Sequence, residues 1–268
     1  MLSAFLIGLL VKAAFTAAVV ITAGVIAEAV GPFWGGLISA LPIAAGPGYV
    51  LLSIEHDAGF IAAAALSSYA STAAIMLFLI TVVRLAPSQP LWRVIGGGIL
   101  AWLAGALAIN AVAWTPLTAT ALNIAVTLPA IAVSRNAERR LGQIRLAPPL
   151  RWYDLPVRAM LVGLVVASVV MASRLLGPTA TGLLAVLPIA LSSLCIIIYR
   201  RLGGPACAAL IASTIRGMPG FGLALLTLHL AIGPLGLPLA LLAGLAASFT
   251  WAIGQMTVRR LRPARLTA

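Results

Sequence analysis

The chain has 268 residues, 62% of them hydrophobic and 8% charged, and its mean hydropathy is +1.14. No soluble domain of this size is that apolar, so a water-facing globular fold is excluded. The net charge of +12 does not point to nucleic acid, because most of the arginines sit in short loops between apolar runs, where they set membrane orientation.

Apolar runs of about 20 residues recur along the chain, each long enough to cross a bilayer core as a helix. Span one is read over Ser3 to Glu28. It lacks a basic leader region, and Val11-Lys12-Ala13 recurs as Val157-Arg158-Ala159, so it reads as a span rather than a cleaved signal peptide. Span two, Gly31 to Ile54, ends at the acidic loop Glu55-His56-Asp57. Span three, Ala58 to Val83, has a polar centre at Ser67, Ser68, Tyr69, Ser71 and Thr72. After a loop flanked by Arg84 and Arg93, span four runs from Leu91 to Val112 and carries Gly96-Gly97-Gly98 and Gly105 for close helix contact. Span five covers Trp114 to Ser134. A polar segment with Arg135, Arg139, Arg140, Arg145 and Arg151 follows. Span six then ends at Leu176, span seven is Gly177 to Tyr199, span eight Gly204 to Ala231, and span nine Leu237 to Val258. Span eight is expected to be interrupted at Arg216-Gly217-Met218-Pro219-Gly220.

One stretch occurs twice. Gly31-Pro32 with Gly36-Leu37 and Leu41-Pro42-Ile43-Ala44 is echoed, 146 residues on, by Gly177-Pro178 with Gly182-Leu183 and Leu187-Pro188-Ile189-Ala190. The same offset carries Lys12 to Arg158, Ser67-Ser68 to Ser213-Thr214, Leu91 to Leu237 and Gly98 to Gly244. Spans one to four therefore correspond to six to nine, and span five is extra. An odd number of crossings turns the second copy over. With the arginine-rich tail in the cytoplasm, thirteen arginines fall inside and Arg174 alone falls outside. The predicted fold class is all-α: a polytopic membrane helix bundle of about nine transmembrane helices, built as two inverted four-span repeats joined by a linker span. The units are 1–112 (repeat one), 113–134 (linker span), 135–148 (basic cytoplasmic loop), 149–258 (repeat two) and 259–268 (basic tail), with the N-terminus outside and the C-terminus inside.

Proline removes a backbone donor and frees a carbonyl one turn back, and in lipid neighbours, water or a ligand must satisfy it. Pro42 and Pro188 therefore mark either a midplane binding site between two broken helices or a pair of packing kinks. Ser39 and Tyr49 surround the first break and Ser192 follows the second; with Ser67, Ser68, Ser213, Thr214 and Arg216 they form the candidate substrate set. Arg216, with no acid evident at its depth, either binds an anion bidentately or is satisfied by freed carbonyls and snorkelling. Lys12 and Arg158 form a symmetric cationic pair, read as gates or as snorkelling side chains. Glu28, whose offset partner is Arg174, is a candidate coupling carboxylate. Cys195 and Cys207 read as small buried hydrophobes. There is no serine–histidine–acid grouping, metal-ligand spacing or phosphate loop, so catalysis, a metal and a cofactor are not expected.

Each half resembles small four-span bacterial membrane proteins of the GlpM-like kind. The resemblance rests on Lys12-Ala13, Gly36-Leu37 and Leu41-Pro42, with Arg158-Ala159, Gly182-Leu183 and Leu187-Pro188 in the second half. It implies a bacterial inner-membrane protein. In architecture alone the chain is similar to drug/metabolite transporters. The functional expectation is a secondary transporter of a small solute, an anion if Arg216 serves it. The alternative is a non-transporting membrane protein that supports an envelope or lipid pathway. Expected partners are membrane lipids and the solute, with room for a homodimer and no nucleic acid.

Overall fold

The computed structural model describes residues 2–29, 45–139 and 154–261, and every regular element in them is a helix. In chain order these are α1 (Leu2–Ala29), α2 (Ala45–Glu55), α3 (Ala58–Leu85), α4 (Leu91–Asn110), α5 (Pro116–Arg139), α6 (Asp154–Ala185), α7 (Ile189–Leu202), α8 (Gly204–Leu235) and α9 (Leu237–Leu261). Six stretches among the described residues are long and apolar enough to cross a membrane: Ala58–Leu85, Leu91–Asn110, Pro116–Arg139, Ala159–Leu202, Gly204–Leu235 and Leu237–Val258. Their outward faces are apolar at helical spacing. Leu100, Leu103 and Leu107 are exposed on α4; Leu117, Ile124 and Leu128 on α5; Leu239 and Ile253 on α9. Such stripes pointing away from the core require lipid as solvent, and the chain is an all-helical multi-pass membrane bundle.

Six membrane-length stretches stand where nine separate spans were expected, for identifiable reasons. The first half of span two falls in residues 30–44, outside the described residues, and in the 28-residue helix α1 most of the side chains on either side of the apolar stretch Leu10–Val19 also lie outside them. Spans six and seven merge into Ala159–Leu202, whose 44 residues exceed the roughly 20 that one crossing needs. That tract is broken twice. Gly177 takes φ 72° and ψ 172°, a left-handed backbone open to glycine, and a second break precedes Pro188, the N-cap of α7. The linker helix also differs: α5 continues past Ser134 to Arg139, so Arg135, Glu138 and Arg139 are helical.

The predicted interruption of span eight does not occur. α8 is continuous from Gly204 to Leu235 with Pro219 inside it. Proline deprives the Ile215 carbonyl of its helical donor, and the next carbonyl, that of Arg216, receives the Trp251 indole N–H from α9 at 3.0 Å. A membrane helix tolerates proline when a neighbour supplies a donor at the distortion.

α3 lies at the centre, buried on nearly all sides, and packs on α4, α5, α6 and α8. Two pairs of helices begin 146 residues apart: α3 at Ala58 and α8 at Gly204, α4 at Leu91 and α9 at Leu237. α3 and α8 pack extensively and run antiparallel. The end of α3 meets the start of α8, where a methyl group on Gly204 would land on the Ala86 carbonyl. Gly222 sits against Tyr69 mid-helix, and His229 Nδ1 lies 2.8 Å from the Ala62 carbonyl at the opposite end. α5 packs on both α3 and α8 to a similar extent.

Candidate functional site

The polar centre of α3 is used. α6 ends at the break before Pro188, so its last carbonyls lack helical donors. Ser68 Oγ donates to the Gly182 carbonyl at 2.5 Å, and Ser67 Oγ donates to the Thr179 carbonyl at 2.7 Å. Tyr49 OH lies 2.7 Å from Ser68 Oγ; because the serine proton is already committed, the tyrosine is the donor. Tyr49 and Ser68 are thus joined in a buried relay that satisfies the Gly182 carbonyl, and Ser67 beside them adds a bond to the Thr179 carbonyl one turn further inside α6. Gly182 permits the contact, since a side chain there would strike the Ala64 carbonyl. A second polar patch joins α3 to α5: Thr72 Oγ1 lies 2.6 Å from Asn123 Oδ1, Asn123 Nδ2 donates to the Tyr69 carbonyl at 2.9 Å, and Tyr69 OH donates to Thr120 Oγ1 at 3.1 Å. Asn123 was legible as a lone amide in an apolar span, yet sequence reasoning passed over it.

The rest of the candidate set disperses. Ser213 and Thr214 bond the Leu210 carbonyl of their own helix. Pro188 caps α7, and among the described residues the buried Ser192 hydroxyl in its first turn has no hydrogen-bond partner, nor does Thr181 on the other side of the break. Ser39 and Pro42 lie outside the described residues, and so do the side chains of Glu28 and Arg158.

Arg216 requires a correction. It was read as an interior cation without an acid, but its Nε donates to Glu138 Oε2 at 2.5 Å. Glu138 was missed because span five was ended at Ser134; the longer α5 carries it to the guanidinium. The pair is part-buried, with side chains 29% and 18% exposed. Trp251 holds the same spot, seated on Gly220, where a side chain would clash with the indole.

Lys12 is paired as well. Its ammonium forms an ion pair with Glu55 at the end of α2, and Arg174 Nε lies 3.9 Å from the other Glu55 oxygen. Alongside, His56 Nε2 lies 2.5 Å from Ser173 Oγ, which itself donates to the Val170 carbonyl, so the imidazole is the donor. Burial lowers the His56 pKa from its ordinary value, the Arg174 charge lowers it further, and Asp57 partly opposes them. This cluster ties α1, α2 and α6 together at one end of the bundle. Glu55 was read only as a loop acid.

A cleft of about 380 Å³ separates α1 and α2 from α8 and α9, lined by Phe15, Tyr49, Leu228, Leu242, Leu245 and Phe249 among others. Its walls are almost wholly apolar. No group of three metal-ligating side chains converges among the described residues. No protein-family model matches the chain, and no curated protein or solved structure matches it either.

Proposed function

We propose that this chain is a secondary transporter of the bacterial plasma membrane, working by alternating access between two inverted repeats, residues 1–112 and 149–258. The observation that carries this reading is the antiparallel packing of α3 on α8, two helices whose first residues stand 146 apart. A repeat that re-enters the membrane from the other side would give that relation, and α5, touching both helices, would be the odd crossing between the copies. On this reading Ala159–Leu202 makes two passes, the N-terminus is outside, and the Lys12–Glu55–Arg174 cluster lies on the outer side. The solute follows from the cleft. With Arg216 neutralised by Glu138 the case for an anion loses its main support, and apolar walls suit a small apolar or amphipathic solute.

Purified protein in liposomes should give saturable flux of small amphipathic solutes, lowered by Leu245→Trp, which fills the cleft. Monodisperse, inserted protein with no saturable flux for amphipathic, neutral or anionic probes would sink the reading. One observation favours the alternative, a non-transporting membrane protein: the relay from Tyr49 through Ser68 to Gly182 is buried and internally satisfied. Stable co-purification of a partner, together with absent flux, would decide for it.

A further inference from the structure

The cleft between α1, α2, α8 and α9 lies at bilayer depth. Its walls include Leu228 of α8 and Leu242, Leu245 and Phe249 of α9. These residues fall inside Gly204–Leu235 and Leu237–Val258, two of the stretches long and apolar enough to cross a membrane. On the α1 wall, Phe15 and Val19 belong to the apolar stretch Leu10–Val19. Lys12 stands about one helical turn before Phe15, so the Lys12–Glu55 ion pair marks one end of the cleft.

The cleft is open rather than enclosed. Leu242 is 62% exposed and Phe249 47%, and Phe15, Val50 and Leu245 are exposed as well. A methyl group added to Gly46 meets nothing within 4 Å. At this depth an open side meets hydrocarbon, not water. Large apolar side chains left uncovered on facing walls are costly in water and at home against lipid tails.

The wall chemistry narrows the occupant. Tyr49 is the one wall side chain with a polar atom among the described residues, and its hydroxyl is committed to Ser68. A polar or charged solute would give up its hydration here and gain no hydrogen bond in return. A hydrocarbon chain moving in from the bilayer gives up nothing, because lipid tails are as apolar as leucine.

We propose that the cleft takes an acyl chain of a membrane phospholipid, which enters sideways from the bilayer. The inference rests on the reading of the cleft as the solute site, and it narrows that solute from a small amphipath to a lipid.

The test places the full chain in phosphatidylcholine nanodiscs with a trace of phospholipid carrying a diazirine on its acyl chain. After irradiation, peptide mass spectrometry maps the adducts. Labelling of Phe15, Val50, Leu242, Leu245 and Phe249 should exceed that of the outward-facing Leu100, Leu103 and Leu107 by about fivefold or more. Equal labelling of cleft and outward face overturns the proposal. Leu245→Trp should bring cleft labelling down to the level of α4, and Val50→Trp serves if the first variant does not fold. Labelling that stays high in a folded, filled variant also overturns it. Benzoylphenylalanine in place of Leu242 identifies the occupant directly. An adduct with lipid is expected; a cross-link to residues 30–44 or to a second copy of the chain, with no lipid adduct, overturns the proposal. Labelling requires no transport, so a lipid-filled cleft without flux of any probe, lipid included, upholds the site and sinks the carrier. Saturable flux of a water-soluble solute beside evenly spread labelling keeps the carrier and overturns the lipid.

Discussion

Two contacts that the 146-residue offset makes equivalent are built differently in this molecule. On one side α2 lies along α6 and an ion-pair cluster closes their shared end. On the other, α7 has no extensive packing on α1 among the described residues, and α1 instead borders an apolar cleft of about 380 Å³ shared with α2, α8 and α9. Similar sequences in two environments teach that pattern fixes where helices run, while side-chain chemistry decides which surfaces close. Gly48 lets α2 lie against the Val166 side chain of α6 on the packed side, and bulky Phe15, Phe249 and leucines hold the cleft walls.

The largest expected effect sharpens this contrast. Gly182→Ala places a methyl group against the Ala64 carbonyl and Ser67, forcing α6 from α3, and should cost about 3 kcal/mol of stability. Gly46→Ala, on the cleft side with open space around the new methyl, should change stability by less than about 1 kcal/mol. Denaturation in detergent followed by circular dichroism measures both; equal losses would erase the distinction between the two sides. Next comes the pair that binds α5 to α8. Arg216→Met or Glu138→Gln alone should cost about 2 kcal/mol, and the double variant clearly less than the sum, since each single leaves a part-buried partner unmatched. Additive losses would mean that the pair is not coupled.

The smallest effect concerns pH at the ion-paired end. The His56 pKa is lowered in the folded protein, so folding favours the neutral ring. The stabilisation is full above the ordinary value of 6.5 and is lost as pH falls below it toward the lowered folded value. Melting temperature should therefore drop between pH 7 and pH 5, and His56→Gln should flatten that drop. A variant that kept the full pH dependence would place the titration elsewhere.

The helices were legible because lipid demands long apolar runs: α3 was read as Ala58 to Val83 and runs Ala58–Leu85, and span nine was placed to start at Leu237, where α9 begins. Partners were not legible. Glu138 and Arg216 are 78 residues apart, and nothing local ties them. Pro219 was taken as a break because a breaker's effect depends on whether a neighbour such as Trp251 satisfies the distorted turn. Ser67 and Ser68 were recognised as interior polar groups, but their acceptors are backbone carbonyls, which every residue carries and no pattern singles out.

Trp251 gives the protein an intrinsic optical sensor. Its indole N–H reads the carbonyl one residue past the one that Pro219 orphans, and its ring rests on Gly220. Any bending of α8 would shift its emission, so a chain with the other five tryptophans replaced by phenylalanine would report helix motion without an attached dye.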